Sequence, residues 1–162
     1  MITPQELNNK ASDRKKANME LFRKLKRKKP PGLDQVMQDL HIKAFERLKC
    51  LDCANCCKSI SPFLIDKDIQ KISKFLRIKP SDFVSLYVIK DEENDFVFKK
   101  SPCPFLLPDN YCSIYEVRPR ACREYPHTDR KRFIQILDLT LKNTFVCPAV
   151  FEIVEKLHEV YD

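Results

Sequence analysis

The sequence predicts a mainly α domain with a small β-hairpin (α+β), compact and centred on metal, preceded by an N-terminal helical arm. Three observations lead there. Apolar residues recur at helical spacing over 33–48 and 148–161. Two short runs of strand-forming residues flank an acidic turn at Asp91–Asn94. Four cysteines crowd into residues 50–57 and four more lie on Pro-rich turns, in a chain with a single glycine, Gly32.

Along the chain, Thr3 is a good N-cap, Pro4 suits the first helical position and Glu6 completes a capping box. The helix that follows runs to "KLKRKK" (24–29) and stops at Pro30-Pro31-Gly32. Met19, Leu21, Phe22 and Leu25 give it a modest apolar stripe, so residues 1–32 read as a lightly packed basic arm and 33–162 as the body. A second helix carries Leu33, Val36, Met37, Leu40, Ala44 and Leu48 on one face and delivers the chain to Cys50. "ISPFLI" (60–65) reads as a short extended piece, and 66–78 as an amphipathic helix with Ile69, Ile72, Phe75 and Leu76 inward. Pro80 opens another short helix, and "VIKDEENDFVFKK" supplies the hairpin. Residues 101–126 are turn-rich, with one short helix after Pro119. "KRFIQILDLTLKN" fits a helix or an extended run equally. The last element, from Pro148, is a helix with Val150, Ile153, Val154, Leu157 and Tyr161 inward.

Composition narrows the chemistry. The 162 residues are the size of one domain, and an apolar fraction of 43% supports a core without disulfides. One glycine cannot build a Rossmann fingerprint or a P-loop, whose backbones must approach phosphate closely. The sequence offers neither an apolar run of signal-peptide length at its start nor a stretch long enough to span a bilayer, which points to a cytoplasmic protein with no membrane partner. In a reducing compartment eight cysteines indicate metal or catalysis before disulfides. The charge is uneven: residues 1–49 hold 13 Lys/Arg against 6 Asp/Glu, while residues 50–162 hold 17 of each.

The cysteines are spaced C-x2-C-x2-C-C at Cys50, Cys53, Cys56 and Cys57, followed by Cys103, Cys112, Cys122 and Cys147. Two residues between thiolates let both sulfurs turn toward one ion. Three such cysteines in series resemble the run that wraps an iron–sulfur cluster in bacterial-type ferredoxins, and Cys103-Pro104 and Cys147-Pro148 offer the remote Cys-Pro. Adjacent Cys56 and Cys57 diverge by about 100° in a helix and more in a strand, so they suit different centres, or one is not a ligand. Eight thiols divide into two four-thiolate sites, or into one cluster with a spare remainder. A redox dithiol lacks the strand-then-helix context of thioredoxin-type motifs, and a radical-SAM cluster fails because position 60 is Ile. His127 could replace a thiolate, whereas His41 and His158 fall within helical patterns. Arg118, Arg120 and Arg123 crowd around Cys122, either to offset thiolate charge or to pair with Glu116 and Glu124 on a solvated face.

The run Cys50–Cys57, then "CPFL" (103–106) and "CSIYEVRPRACREYP" (112–126), resembles the YkgJ-type cysteine-cluster proteins (CxxCxxCC), described as zinc- or iron-chelating. The resemblance covers about residues 50–126, with a later Cys-Pro that Cys147-Pro148 would match, and implies metal ligation by the cysteines. A similar module in flagellin lysine methylases is associated with an iron–sulfur cluster, but no methylase substrate or cofactor site is recognisable in this chain.

Three functions follow. The leading one is an iron–sulfur or other iron centre in redox or cofactor chemistry. A zinc-stabilised binding module would use the basic arm on nucleic acid or an acidic protein partner. A metallochaperone or metal sensor would keep one site labile.

Overall fold

Thr3 begins the first helix as its residue types dictate. Its hydroxyl accepts the Glu6 amide (3.2 Å) while Glu6 returns a carboxylate to the Thr3 amide (2.8 Å). A computed structural model describes residues 2–162. In chain order its helices are α1 (Pro4–Lys28), α2 (Leu33–Arg47), α3 (Cys50–Cys53), α4 (Asn55–Ser59), α5 (Asp66–Leu76), α6 (Pro80–Tyr87), α7 (Arg120–Glu124), α8 (Leu137–Asn143) and α9 (Pro148–Tyr161). Strands β1 (Phe63–Leu64), β2 (Val88–Lys90) and β3 (Phe96–Phe98) and two 3-10 turns, Tyr115–Val117 and Phe133–Ile136, complete it. The chain forms two compact units, one from residues up to Lys49 with Pro126–Asp162 and one from Cys50–Tyr125.

The first unit is helical. Its core joins Leu21, Phe22 and Leu25 of α1 to Met37 of α2, Phe133 and Leu137, and Val150, Val154 and Leu157 of α9. Leu7 and Ala11, four residues apart, are fully buried as well, so α1 contributes one continuous face from its first turn to its last. Each fully buried leucine of this kind contributes about 1.5–3 kcal/mol relative to exposure. The light packing expected of residues 1–32 is therefore not observed for α1. Met19, counted with the apolar stripe, is exposed, because it lies about 100° around the helix from Asn18.

Several buried polar groups in this unit find partners, although Asn18 Nδ2 has none. Asn18 is buried on the α1 core face, and its Oδ1 accepts a hydrogen bond from His158 Nε2 (2.8 Å). The other ring nitrogen of His158 faces the Asp162 carboxylate. His41 shares a hydrogen bond with Thr128 Oγ1 (2.7 Å) and packs against the Phe45 ring. The ambiguous segment 131–143 resolves as the Phe133–Ile136 turn followed by α8.

The second unit is built on a small antiparallel sheet. β2 and β3 form the expected hairpin, with Ile89 opposite Val97, and β1 adds a third strand on the far side of β3. Asp91 makes the turn: its Oδ1 accepts the amides of Glu93 (3.0 Å) and Asp95 (2.9 Å), and Asn94 takes the left-handed conformation at φ 66°. Phe83, Phe98 and Phe105 meet beneath this sheet, with the Phe98 and Phe105 rings edge to face at 5.4 Å. Ile69 and Ile72 of α5 point inward as expected, but Phe75 does not. The inward stripe of α5 passes through Ser73, which leaves Phe75 on the opposite side and exposed.

Candidate metal centre

Seven of the eight cysteines lie in the second unit, and local backbone geometry delivers the first four in two pairs. Cys50 and Cys53 occupy the single turn of α3, and Cys56 and Cys57 the next turn, α4. Ala54 between them is left-handed (φ 49°), and its amide donates to Cys50 O (2.7 Å), so the chain changes direction inside the motif. The Cys56 and Cys57 thiols make a hydrogen bond to each other, which the expectation of diverging neighbours did not foresee.

The later cysteines are tied to this run by backbone. The Cys103 amide donates to Cys57 O (2.7 Å), and Ser101 Oγ donates to Lys58 O (3.0 Å). Cys112 lies across a β-bridge from Leu106, with the Ser113 amide on Phe105 O (2.8 Å). Cys122 sits in the middle of α7. The start of that helix is anchored by Asp68, whose Oδ1 accepts the Arg120 amide (3.0 Å) and whose Oδ2 accepts the Ile65 amide (3.1 Å). Asp68 is buried, 2% exposed, and its place in the first turn of a helix is the sole signal of it in the sequence.

Electrostatics show that these thiols share one neighbourhood. Burial pushes Cys122 up to about 12, and thiolate repulsion from Cys57, Cys103 and Cys112 adds to it. Burial raises Cys103 to about 11, partly offset by hydrogen bonds from backbone amides at Phe105 and Leu106, with Cys57 and Cys112 repelling. Cys112 is raised by burial and relieved by the Ile114 amide, and Cys50 is raised by burial and by Cys53 and Cys57. Cys57 moves down, to about 7, because the Cys56 thiol hydrogen-bonds to it. Its charge acts on Cys50, Cys103, Cys112 and Cys122 alike.

Among the three arginines, the structure separates two roles. Arg118 lies over the Tyr115 ring (3.8 Å to its centre), donates from Nη1 to Tyr115 O (2.8 Å), and favours the thiolates of Cys50, Cys112 and Cys122. Arg123 supports it by donating to Arg118 O (2.7 Å). Arg120 instead pairs with Glu124 (2.6 Å) on an exposed face.

Cys147 belongs to the first unit. There its amide donates to Asn143 O (2.8 Å), it caps the start of α9, and its side chain packs against the helical core. His127 is in the first unit too, half-buried and left-handed (φ 66°). His41 and His158 are engaged as described above.

Among the described residues, no three Cys, His, Asp or Glu side chains stand ready-made around one ion. The donor set nevertheless fits a thiophilic metal. Burial and the charge of Cys57 both disfavour the thiolates of Cys50, Cys103, Cys112 and Cys122, and a bound cation would remove that opposition.

A family model, CxxCxxCC, described as "Putative zinc- or iron-chelating domain", matches residues 49–145. The chain belongs to this family. The matched segment contains the seven cysteines of the second unit and ends before Cys147, and α1 lies outside it as well. No solved structure matches the chain. Within the CxxCxxCC segment, then, the family signature and the gathered thiols coincide. No helix among the described residues is long and apolar enough to cross a membrane.

Proposed function

We propose that this chain is a cytoplasmic iron protein whose second unit holds an iron–sulfur cluster or another iron centre through cysteines drawn from Cys50, Cys53, Cys56, Cys57, Cys103, Cys112 and Cys122. The observation that carries the reading is the position of Cys57. Four other thiols respond to its charge, and its carbonyl holds the Cys103 amide. Seven thiols exceed the four that close a structural zinc site, which favours a cluster. Backbone amides directed at the sulfurs of Cys103 and Cys112 favour it too, because N–H···S bonds stabilise cluster thiolates and adjust their potential.

An iron–sulfur cluster supplies one-electron redox chemistry when bound. The chain's own residues bind through sulfur, offset negative charge through Arg118, and fix the Cys103 and Cys122 segments through Cys57 O and Asp68. Cys147 is left to the helical core.

Anaerobic purification followed by element analysis and an absorption spectrum tests this. A brown protein with iron, sulfide and absorption near 400 nm is expected. A colourless protein with stoichiometric zinc would replace the iron reading with a zinc-stabilised module.

A further inference from the structure

Two basic runs that are distant in sequence meet at one end of the first unit. Asp34, in the first turn of α2, accepts the Arg132 amide on Oδ2 (2.7 Å) and the Phe133 amide on Oδ1 (2.9 Å), a link across 98 and 99 residues. It pins Arg132 and Phe133, and with them the end of the run 130–132, to the first turn of α2, which starts from the Pro30–Gly32 turn. The last turn of α1 reaches that same turn with Arg27, Lys28 and Lys29, and Lys26 Nζ reaches Asp138 of α8 (2.8 Å).

The side chains from Arg27 to Lys29 and from Arg130 to Arg132 are all exposed. Among the described residues, no carboxylate lies within ion-pair distance of any of these six. The acids nearby are already engaged: Asp34 by two amides, Asp138 by Lys26, and Asp129 faces His41 Nε2 at 4.0 Å.

We propose that this end of the first unit binds the phosphate backbone of duplex nucleic acid without reading its sequence. Clustered cations gain affinity there by releasing condensed counterions. The chemistry of the patch selects among anionic partners. Clustered cations hold an anionic bilayer firmly when apolar side chains insert beside them, but the large apolar neighbours of the two runs, Leu25 and Phe133, are buried. Single-strand binding needs exposed aromatic rings for stacking, and neither run carries one. The site is independent of the metal reading, since it lies wholly in the helical unit.

The test is titration of a fluorescent 20-base-pair duplex with the full-length, metal-loaded protein between low and physiological salt. Two triple variants are compared, one with Arg27, Lys28 and Lys29 changed to Gln and one with Arg130, Lys131 and Arg132 changed to Gln. Each is expected to weaken binding about tenfold or more at low salt, and to flatten the slope of log K against log salt by about 2–3. Duplexes of unrelated sequence should bind alike. Single changes Arg27→Gln and Lys131→Gln, at exposed positions, give a smaller loss in the same direction and serve if a triple variant misfolds. No duplex binding by the unaltered protein, a loss confined to the first run, or tighter binding to phosphatidylserine vesicles than to the duplex each overturns the proposal.

Discussion

The amide of Cys103 donates to the carbonyl of Cys57 across 2.7 Å, joining two cysteines 46 positions apart by backbone alone. The bond ties the Cys103 segment to α4 independently of the protonation of either thiol. The bond makes Cys57 the point from which the other thiols are organised.

Replacing Cys57 by Ser keeps that backbone bond but removes the sulfur whose charge reaches Cys50, Cys103, Cys112 and Cys122, and should remove most of the iron from the purified protein. Cys147→Ser, a change in the helical core, should leave the iron-to-protein ratio near that of the unaltered chain. Inductively coupled plasma analysis of both variants decides the matter; equal loss in the two would place Cys147 in the donor set.

Arg118 and Arg120 differ in what they face, and so should their substitutions. Arg118→Gln removes the guanidinium that favours three thiolates and should weaken metal retention about 10–100-fold in competition with a chelator. Arg120→Gln breaks an exposed pair with Glu124 and should cost no more than about 0.5 kcal/mol of stability, with retention unchanged. Similar retention in both variants would count against Arg118 as the counter-charge.

Asp68 links the fold to the site. Asp68→Ala leaves the Ile65 and Arg120 amides without their acceptor, at about 1–3 kcal/mol for each one that stays buried, and frees the start of α7. Thermal melts should show the lost stability, and metal content should fall with it because α7 carries Cys122. Asp68→Asn, which retains one carbonyl oxygen, should recover part of both.

The capping box at Thr3 has a pH signature. Hydrogen bonds from the Thr3 amide and hydroxyl hold the Glu6 carboxyl below its ordinary value of 4.5. Folding thus favours the ionised form, so its stabilisation is present above pH 4.5 and is lost as pH falls through the lower folded value. Glu6→Gln should be less stable than the unaltered chain at neutral pH and match it in acid. Thr3→Ala should lose about 1 kcal/mol at neutral pH. Denaturant melts across pH check the convergence.

Local features were legible in advance. The Thr3 cap, the stop at Pro30-Pro31-Gly32, the Asp91 turn and the Pro148 start each depend on residues within about four positions, and each appears where residue type places it. The C-x2-C-x2-C-C run and the later R-P-x-x-C-R were enough to indicate the family. Phe75 and Met19 were misplaced because helical spacing defines a stripe and not its centre, and only a partner surface fixes which side turns inward.

By itself, the sequence determined the longer helices, the hairpin and a thiol-rich segment suited to zinc or iron, but not α3, α4 or α8. Tertiary structure decided that α1 is part of a core, that Cys57 stands among the thiols while Cys147 lies in the helical unit, and that Arg118 and not Arg120 faces the sulfurs. It also brought two basic runs together through Asp34. The physical reason is range. Caps and turns are made by neighbours along the chain, whereas these relationships rest on single backbone bonds and buried faces between residues tens of positions apart, which leave no periodic trace in the sequence.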